Sequence, residues 1–309
     1  MRGTRRDPRV TRLTATIAGM TDQGRVRANN EDSVWLDPAK GLIVVADGMG
    51  GHRSGEKASS LAISSIRENF DRLSVSQSAG EIAAERFSTE TNRLATCVKI
   101  ANQVIFEAAR QDPEDRGMGT TCTAAVIGGG RLSIAHVGDS RCYLVRRGVM
   151  TRLTEDHSLA TYQATQGVPT PEEAAPVNQN ILLRALGTEA KVKIDVDEHP
   201  LYSGDRLVLC SDGLDKEVKE DDILRTVLAT DDPEEVVRRL IDRANAAGGQ
   251  DNITVAAARL DKTGVFAAFS RILRLFSPEH SSDKARGKKT GPKEFESTCW
   301  NPVGVVRDA

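Results

Sequence analysis

The chain has 309 residues, 39% hydrophobic, 28% charged and 4% aromatic, which is enough for a sizeable buried core and too apolar for a disordered or collagen-like chain. Its formal charge of -2, from 42 basic and 44 acidic residues, argues against a dedicated nucleic-acid binder. That total conceals a split: 13–261 holds 28 basic against 38 acidic residues, while the arms 1–12 and 262–309 are each +4.

Strands are predicted at 14–18, 33–36, 41–46, 120–127, 131–137, 142–146, 206–210 and 253–259, several running straight into Gly-Asp or Asp-Gly turns. Helices are predicted at 55–73, at 83–111 from Leu94, Val98, Ala101, Ile105 and Ala108, and at 233–246 behind Asp231, Asp232, Glu234 and Glu235. These elements come in blocks, which points to α+β layers of antiparallel sheet covered by helices. The polar stretch 157–187, with three prolines, is long enough to be a functional loop.

Three parts follow: a basic N-terminal arm (1–12), one domain (13–261) and a basic C-terminal tail (262–309). In the tail, segment 265–276 sets Phe266, Phe269, Ile272, Leu273 and Phe276 against Arg271 and Arg274. It reads either as a basic amphipathic helix that docks on a partner or a membrane surface, or as a last helix packed on its own domain. The five cysteines (Cys97, Cys122, Cys142, Cys210, Cys299) form no CxxC pair, and no run is long and apolar enough to span a bilayer. A cytoplasmic location without a transmembrane segment is expected.

Aspartates recur at turns through the body: Asp22, Asp32, Asp47, Asp139, Asp212 and Asp251. Any one is an ordinary turn residue, but several gathered at one end of a core repel each other unless a cation neutralises them. Oxygen-only ligands without clustered Cys or His suit Mg2+ or Mn2+, and two such ions acidify a water and stabilise phosphoryl displacement. Arg27, five residues before Asp32, has a fork that matches two phosphate oxygens; alone it reads as a surface ion-pair partner.

The runs D-Q-G-x-x-R-x-x-N-E-D (22–32), A-D-G-M-G-G-H (46–52), G-M-G-T-T (117–121), V-G-D-S-R (137–141), L-T-E-D-H-S (153–158), S-D-G-L (211–214) and G-G-Q-D-N-I-T (248–254) stand in one order. Together they closely resemble the metal-dependent type 2C serine/threonine protein phosphatases in their bacterial form, over roughly residues 12 to 260. The resemblance implies an α-β-β-α sandwich of two central antiparallel sheets, with the metal site in a cleft at one end. It implies that Asp47 bridges two metals, that the Gly48 carbonyl completes one shell, and that Asp212 and Asp251 hold the first metal. Asp32 would act nearby through waters, Asp139 with Asp212 would serve a weaker third metal, and Arg27 would bind the substrate phosphate. Metal-bridging hydroxide would then attack phosphoserine or phosphothreonine in a phosphorylated protein directly, with no covalent phosphoenzyme. The 157–187 stretch falls where the family carries its flap.

Met49 stands where many eukaryotic relatives have a His proposed as general acid, which leaves leaving-group protonation unassigned. His52 reads as support for the Gly48, Gly50, Gly51 turn, and Asp156 and His157 read as structural turn residues. The rival from another class is a catalytically silent relative that uses the cleft for binding. The presence of Asp47, Asp212 and Asp251 together favours the enzyme.

Overall fold

The computed structural model describes residues 13–50, 53–73, 86–166 and 181–262, together with the backbone of 300–307. One sheet has the order β12-β1-β11-β10-β7-β8, from β1 (Leu13–Asp22), β7 (Arg141–Arg146), β8 (Val149–Arg152), β10 (Arg206–Cys210), β11 (Ile253–Lys262) and β12 (Trp300–Arg307). The other has the order β2-β3-β5-β6-β9, from β2 (Asp32–Asp37), β3 (Leu42–Met49), β5 (Cys122–Gly128), β6 (Arg131–Val137) and β9 (Asp195–Pro200), with β4 (Gly119–Thr120) on the end of β3. All their pairings are antiparallel.

Strand β3 shows why the layers form. Ile43 and Val45 face the other sheet, packing with Ile17, Ile134, Leu207 and Leu209. Leu42, Val44 and Ala46 point the opposite way, to α1 (Arg53–Arg72) and α2 (Thr89–Gln111). A strand covered on both faces needs an unbroken apolar run, because successive side chains alternate between them. The first sheet's outer face is covered by α5 (Glu220–Leu228) and α6 (Pro233–Ala247) through Val208, Ile223, Val236 and Leu240. The result is the expected α-β-β-α sandwich, and among the described residues no helix is long and apolar enough to cross a membrane.

Several boundaries differ from expectation. Helix α2 starts at Thr89, because Ser88 caps it by accepting the Thr91 N–H at 3.3 Å; the predicted extension to residue 83 crosses residues outside those described. The strand expected at 120–127 divides at Thr121 into β4 and β5. The 157–187 stretch contains a short helix, α3 (Leu159–Thr165), and its residues 167–180 lie outside the described residues. So do Gly51, His52, Cys299, the arm 1–12 and the amphipathic segment 265–276. Within the tail, β12 was not anticipated: its backbone pairs with β1 from Thr14–Arg307 to Met20–Trp300. The register shifts between Ile17 and Gly19, opposite Pro302, which has no N–H to donate.

Candidate active site

Strand register gathers the acidic residues at one end of the sandwich. Cys210 pairs with both Arg141 and Val255, so Asp139 just before β7, Asp212 just after β10 and Asp251 just before β11 all emerge together. In the second sheet Asp32, first in β2, lies directly opposite Asp47 in β3, and Gly48 lies opposite Thr120. Like charges opposed across a ladder destabilise it, so this pairing costs stability unless something neutralises it.

Arg27, Asp47, Gly48, Asp139, Asp212 and Asp251 line one cleft of about 570 Å3, with Met49, Thr121, Lys216 and Asn252. Asp32 lies beneath it, buried, its Oδ2 accepting the Ser211 hydroxyl at 2.7 Å; Ser211 Oγ in turn accepts the Thr254 N–H at 3.0 Å. Asp47 is clamped through its backbone, donating N–H to Thr121 Oγ1 at 2.9 Å while its carbonyl accepts from Thr121 N–H at 2.8 Å and Thr120 Oγ1 at 2.9 Å. Gly48 donates to the Glu31 carbonyl at 3.1 Å, and a Cβ there would collide with the Gly55 and Glu31 carbonyls.

Burial and mutual repulsion both act on these carboxylates. Burial pushes Asp32 up to about 7, its hydroxyl bonds opposing and the charges of Asp212 and Asp251 adding. Asp139 is likewise pushed up to about 7 by burial and then Asp212, against the pull of Lys216. Asp47 lies well above the ordinary range, from burial first and then from Asp32, Asp212, Asp139 and Asp251.

Two cations reach into this field. Arg27 Nη2 donates to Asp251 Oδ2 at 2.8 Å, so the phosphate-binding candidate is also an ion-pair partner. Lys216 Nζ contacts Asp212 Oδ2, while Asp212 Oδ1 is buried with no hydrogen-bond partner. With the side chains so engaged, no group of three His, Cys, Asp or Glu among the described residues closes on one point as a ligand set. The chemistry still fits a hard divalent cation: all donors are oxygen, several are held where their charged form is disfavoured, and one buried carboxylate oxygen has no partner.

Around the cleft, structural polar residues do the positioning. Asn252 ties its own loop to the 23–31 loop at Gln23, Asn29 and Glu31, and the Arg25 N–H bond to the Gly249 carbonyl at 2.7 Å ties the same two loops at the Gly24 turn. Arg141 grips Asp156 at 2.7 Å and Asp215 at 2.9 Å, fixing the short helix α4 (Asp212–Asp215). His157 accepts the Gly138 N–H through Nδ1 at 3.0 Å and donates Nε2–H to Asp195 at 3.1 Å, holding the turn before Asp139. Asp156 and His157 are thus structural, as their turn position suggests, and Asp22 is too: its Oδ1 accepts from Gly24 N–H and Asn245. Sequence reasoning missed Lys216 and Asn252. Their signals were the Asp-x-x-x-Lys spacing from Asp212 and the Asn next to Asp251.

Carboxylates crowded at the end of a double sheet, with a guanidinium beside them, define a class of site: oxygen-only, and suited to hard divalent cations and an anionic ligand. The family model described as Protein phosphatase 2C matches residues 22–263, and the chain belongs to that family. The serine/threonine protein phosphatase PstP of Mycobacterium tuberculosis is 38% identical over 247 residues, covering 80% of this chain and 45% of PstP, so this chain spans about half of that relative's length. The serine/threonine phosphatase stp of Listeria monocytogenes is 38% identical over 247 residues, 79% of this chain and 95% of stp. A crystal structure of the PstP catalytic domain in complex with two manganese ions superposes with a TM-score of 0.69 at 37% identity, covering 81% of this chain and 100% of that one.

Proposed function

We propose that this chain removes phosphate from phosphoserine and phosphothreonine in phosphorylated proteins, with Mn2+ or Mg2+ as cofactor. The single observation behind this reading is that Arg27, Asp47, Gly48, Asp139, Asp212 and Asp251 line one cleft above Asp32. The manganese-bound PstP catalytic domain supports it.

In this reading Asp47, the Gly48 carbonyl, Asp212 and Asp251 hold the two main ions, and Asp139 with Asp212 serves a weaker third. When bound, the ions neutralise the carboxylates, acidify a water to serve as nucleophile and offset the phosphate's charge. The chain's own residues bind and orient. Asp32 is locked by Ser211 at 2.7 Å beneath the cleft and braces it. Arg27 has its side chain half exposed at the rim, where its planar fork binds two phosphate oxygens and aligns phosphorus for direct attack. Met49 lines the cleft and has no proton to give, so protonation of the departing seryl or threonyl oxygen falls to another group.

In this reading the catalytic unit is 13–261, flanked by the basic arms 1–12 and 262–309, of which the second adds β12 to the edge of the first sheet. A cytoplasmic location agrees with Cys97, Cys122, Cys142 and Cys210, all free and buried. The tail is proposed to contact a partner or membrane surface, which its deletion tests through cellular distribution and substrate range. The deciding experiment is hydrolysis of a phosphothreonine peptide with manganese, with magnesium and with chelator. Activity is expected with the metals and lost with chelator; activity that survives chelation overturns the reading.

A further inference from the structure

We infer that Lys216 is a second phosphate-facing cation, and that it exchanges Asp212 for substrate phosphate when a divalent cation binds Asp212. The inference rests on the phosphatase reading above and names a residue for which that reading has no use.

The geometry is specific. Lys216 caps the C-terminus of α4, four residues after Asp212, so one helical turn brings both side chains to the same side. Its ammonium contacts Asp212 Oδ2, it lines the cleft with Arg27, Asp47, Asp139 and Asp251, and its side chain is 39% exposed. The relation repeats at Arg27, whose guanidinium sits on Asp251 Oδ2 at 2.8 Å. Thus two of the proposed metal ligands each carry one cation of the chain itself.

An ammonium and a divalent ion cannot share Asp212 without cost. Asp212 Oδ1 is open to an ion, but an ion there lies beside the ammonium on Oδ2, and positive charges about 4 Å apart repel strongly in a partly desolvated cleft. Lys216 therefore competes with the ion for Asp212. Once displaced, its head keeps three rotatable donors on a flexible stem, so it stays within the cleft and pairs with the anion there. Arg141 cannot substitute, since Asp156 and Asp215 already hold it. Removing the Lys216 charge should then move two affinities in opposite directions, with tighter manganese binding and weaker phosphate binding. A lysine that only supports the fold would weaken both.

The test uses the full chain, stripped with chelator and titrated calorimetrically with manganese alone, then with inorganic phosphate once loaded. For Lys216→Met, manganese affinity should rise about fivefold and phosphate affinity fall about fivefold, the scale of one partly exposed ion pair. Lys216→Arg, which keeps the charge, should stay close to the unsubstituted chain in both. Unchanged or weaker manganese binding by Lys216→Met, unchanged phosphate binding, or failure of Lys216→Arg to preserve the pattern overturns the inference. If the unsubstituted chain binds no manganese, the phosphatase reading itself falls.

Discussion

Glu31 and Asn252, 221 residues apart, are joined by a 2.9 Å bond from the Glu31 N–H to Asn252 Oδ1. The same amide's Nδ2 donates to the carbonyls of Gln23 and Asn29, both at 2.9 Å. One buried side chain therefore pins the loop carrying Arg27 to the loop carrying Asp251. This fixes the distance between Arg27 and Asp251, the proposed phosphate-binding and metal-binding parts of the cleft.

Asn252→Ala removes all three of these bonds from part-buried backbone groups. A loss of about 3 kcal/mol in unfolding free energy is expected. In phosphopeptide kinetics KM should rise as the Arg27 loop loosens. Denaturant unfolding and steady-state assays check both, and a variant as stable and active as the parent would show that Asn252 is not the clamp.

Gly213→Ala should be damaging purely for lack of space, since its Cβ would be forced into the Asn252 carbonyl oxygen in the middle of the site. Overpacking of this kind costs roughly 1–3 kcal/mol and shifts the backbone, displacing Asp212 and reducing turnover. Gly128→Ala, where an added Cβ meets nothing within 4 Å, is the matched control and should be nearly neutral in thermal melts and assays.

Asp47→Asn should abolish turnover while stabilising the protein in chelator. Asp47 faces Asp32 across the ladder and feels Asp212, Asp139 and Asp251, so removing its charge relieves repulsion. Each kcal/mol recovered would raise Tm by roughly 2–4 °C. Measured in chelator, a lower Tm for the variant would contradict the electrostatic account. Full turnover would sink the metal assignment.

His136 supplies a pH test away from the cleft. Burial and the neighbouring His157 pull its pKa down to about 4, from an ordinary 6.5. The folded form stays neutral while the unfolded chain takes up the proton, so this stability is full above about 6.5 and is lost as pH falls toward about 4. The loss amounts to about 3 kcal/mol. Comparing unfolding of the parent and His136→Gln from pH 7 to pH 4 isolates it; parallel curves would refute it.

Much of this was legible in the chain itself. The apolar runs that became β3, β6, β10 and β11 are covered on both faces, and α1, α2 and α6 carry stripes of buried residues long enough to show their period. What escaped were elements whose stability comes from neighbours. Strand β9, Asp195–Pro200, is polar and only partly covered at a sheet edge, so it has no apolar signature. Helix α5 has nine residues, too few turns to display a period, and β12 is defined by its pairing with β1.

The same division runs through the site. Residue chemistry and the order of the motifs singled out Asp32, Asp47, Asp139, Asp212 and Asp251 as candidate ligands, with Arg27 as candidate phosphate fork, because carboxylates suit hard cations and a guanidinium suits phosphate. Only the tertiary structure decided that Asp32 stands opposite Asp47, that Asn252 ties two distant loops, and that Lys216 rests on Asp212. Pairing register and long-range hydrogen bonds depend on which segments pack together, and a local window of sequence carries no record of that.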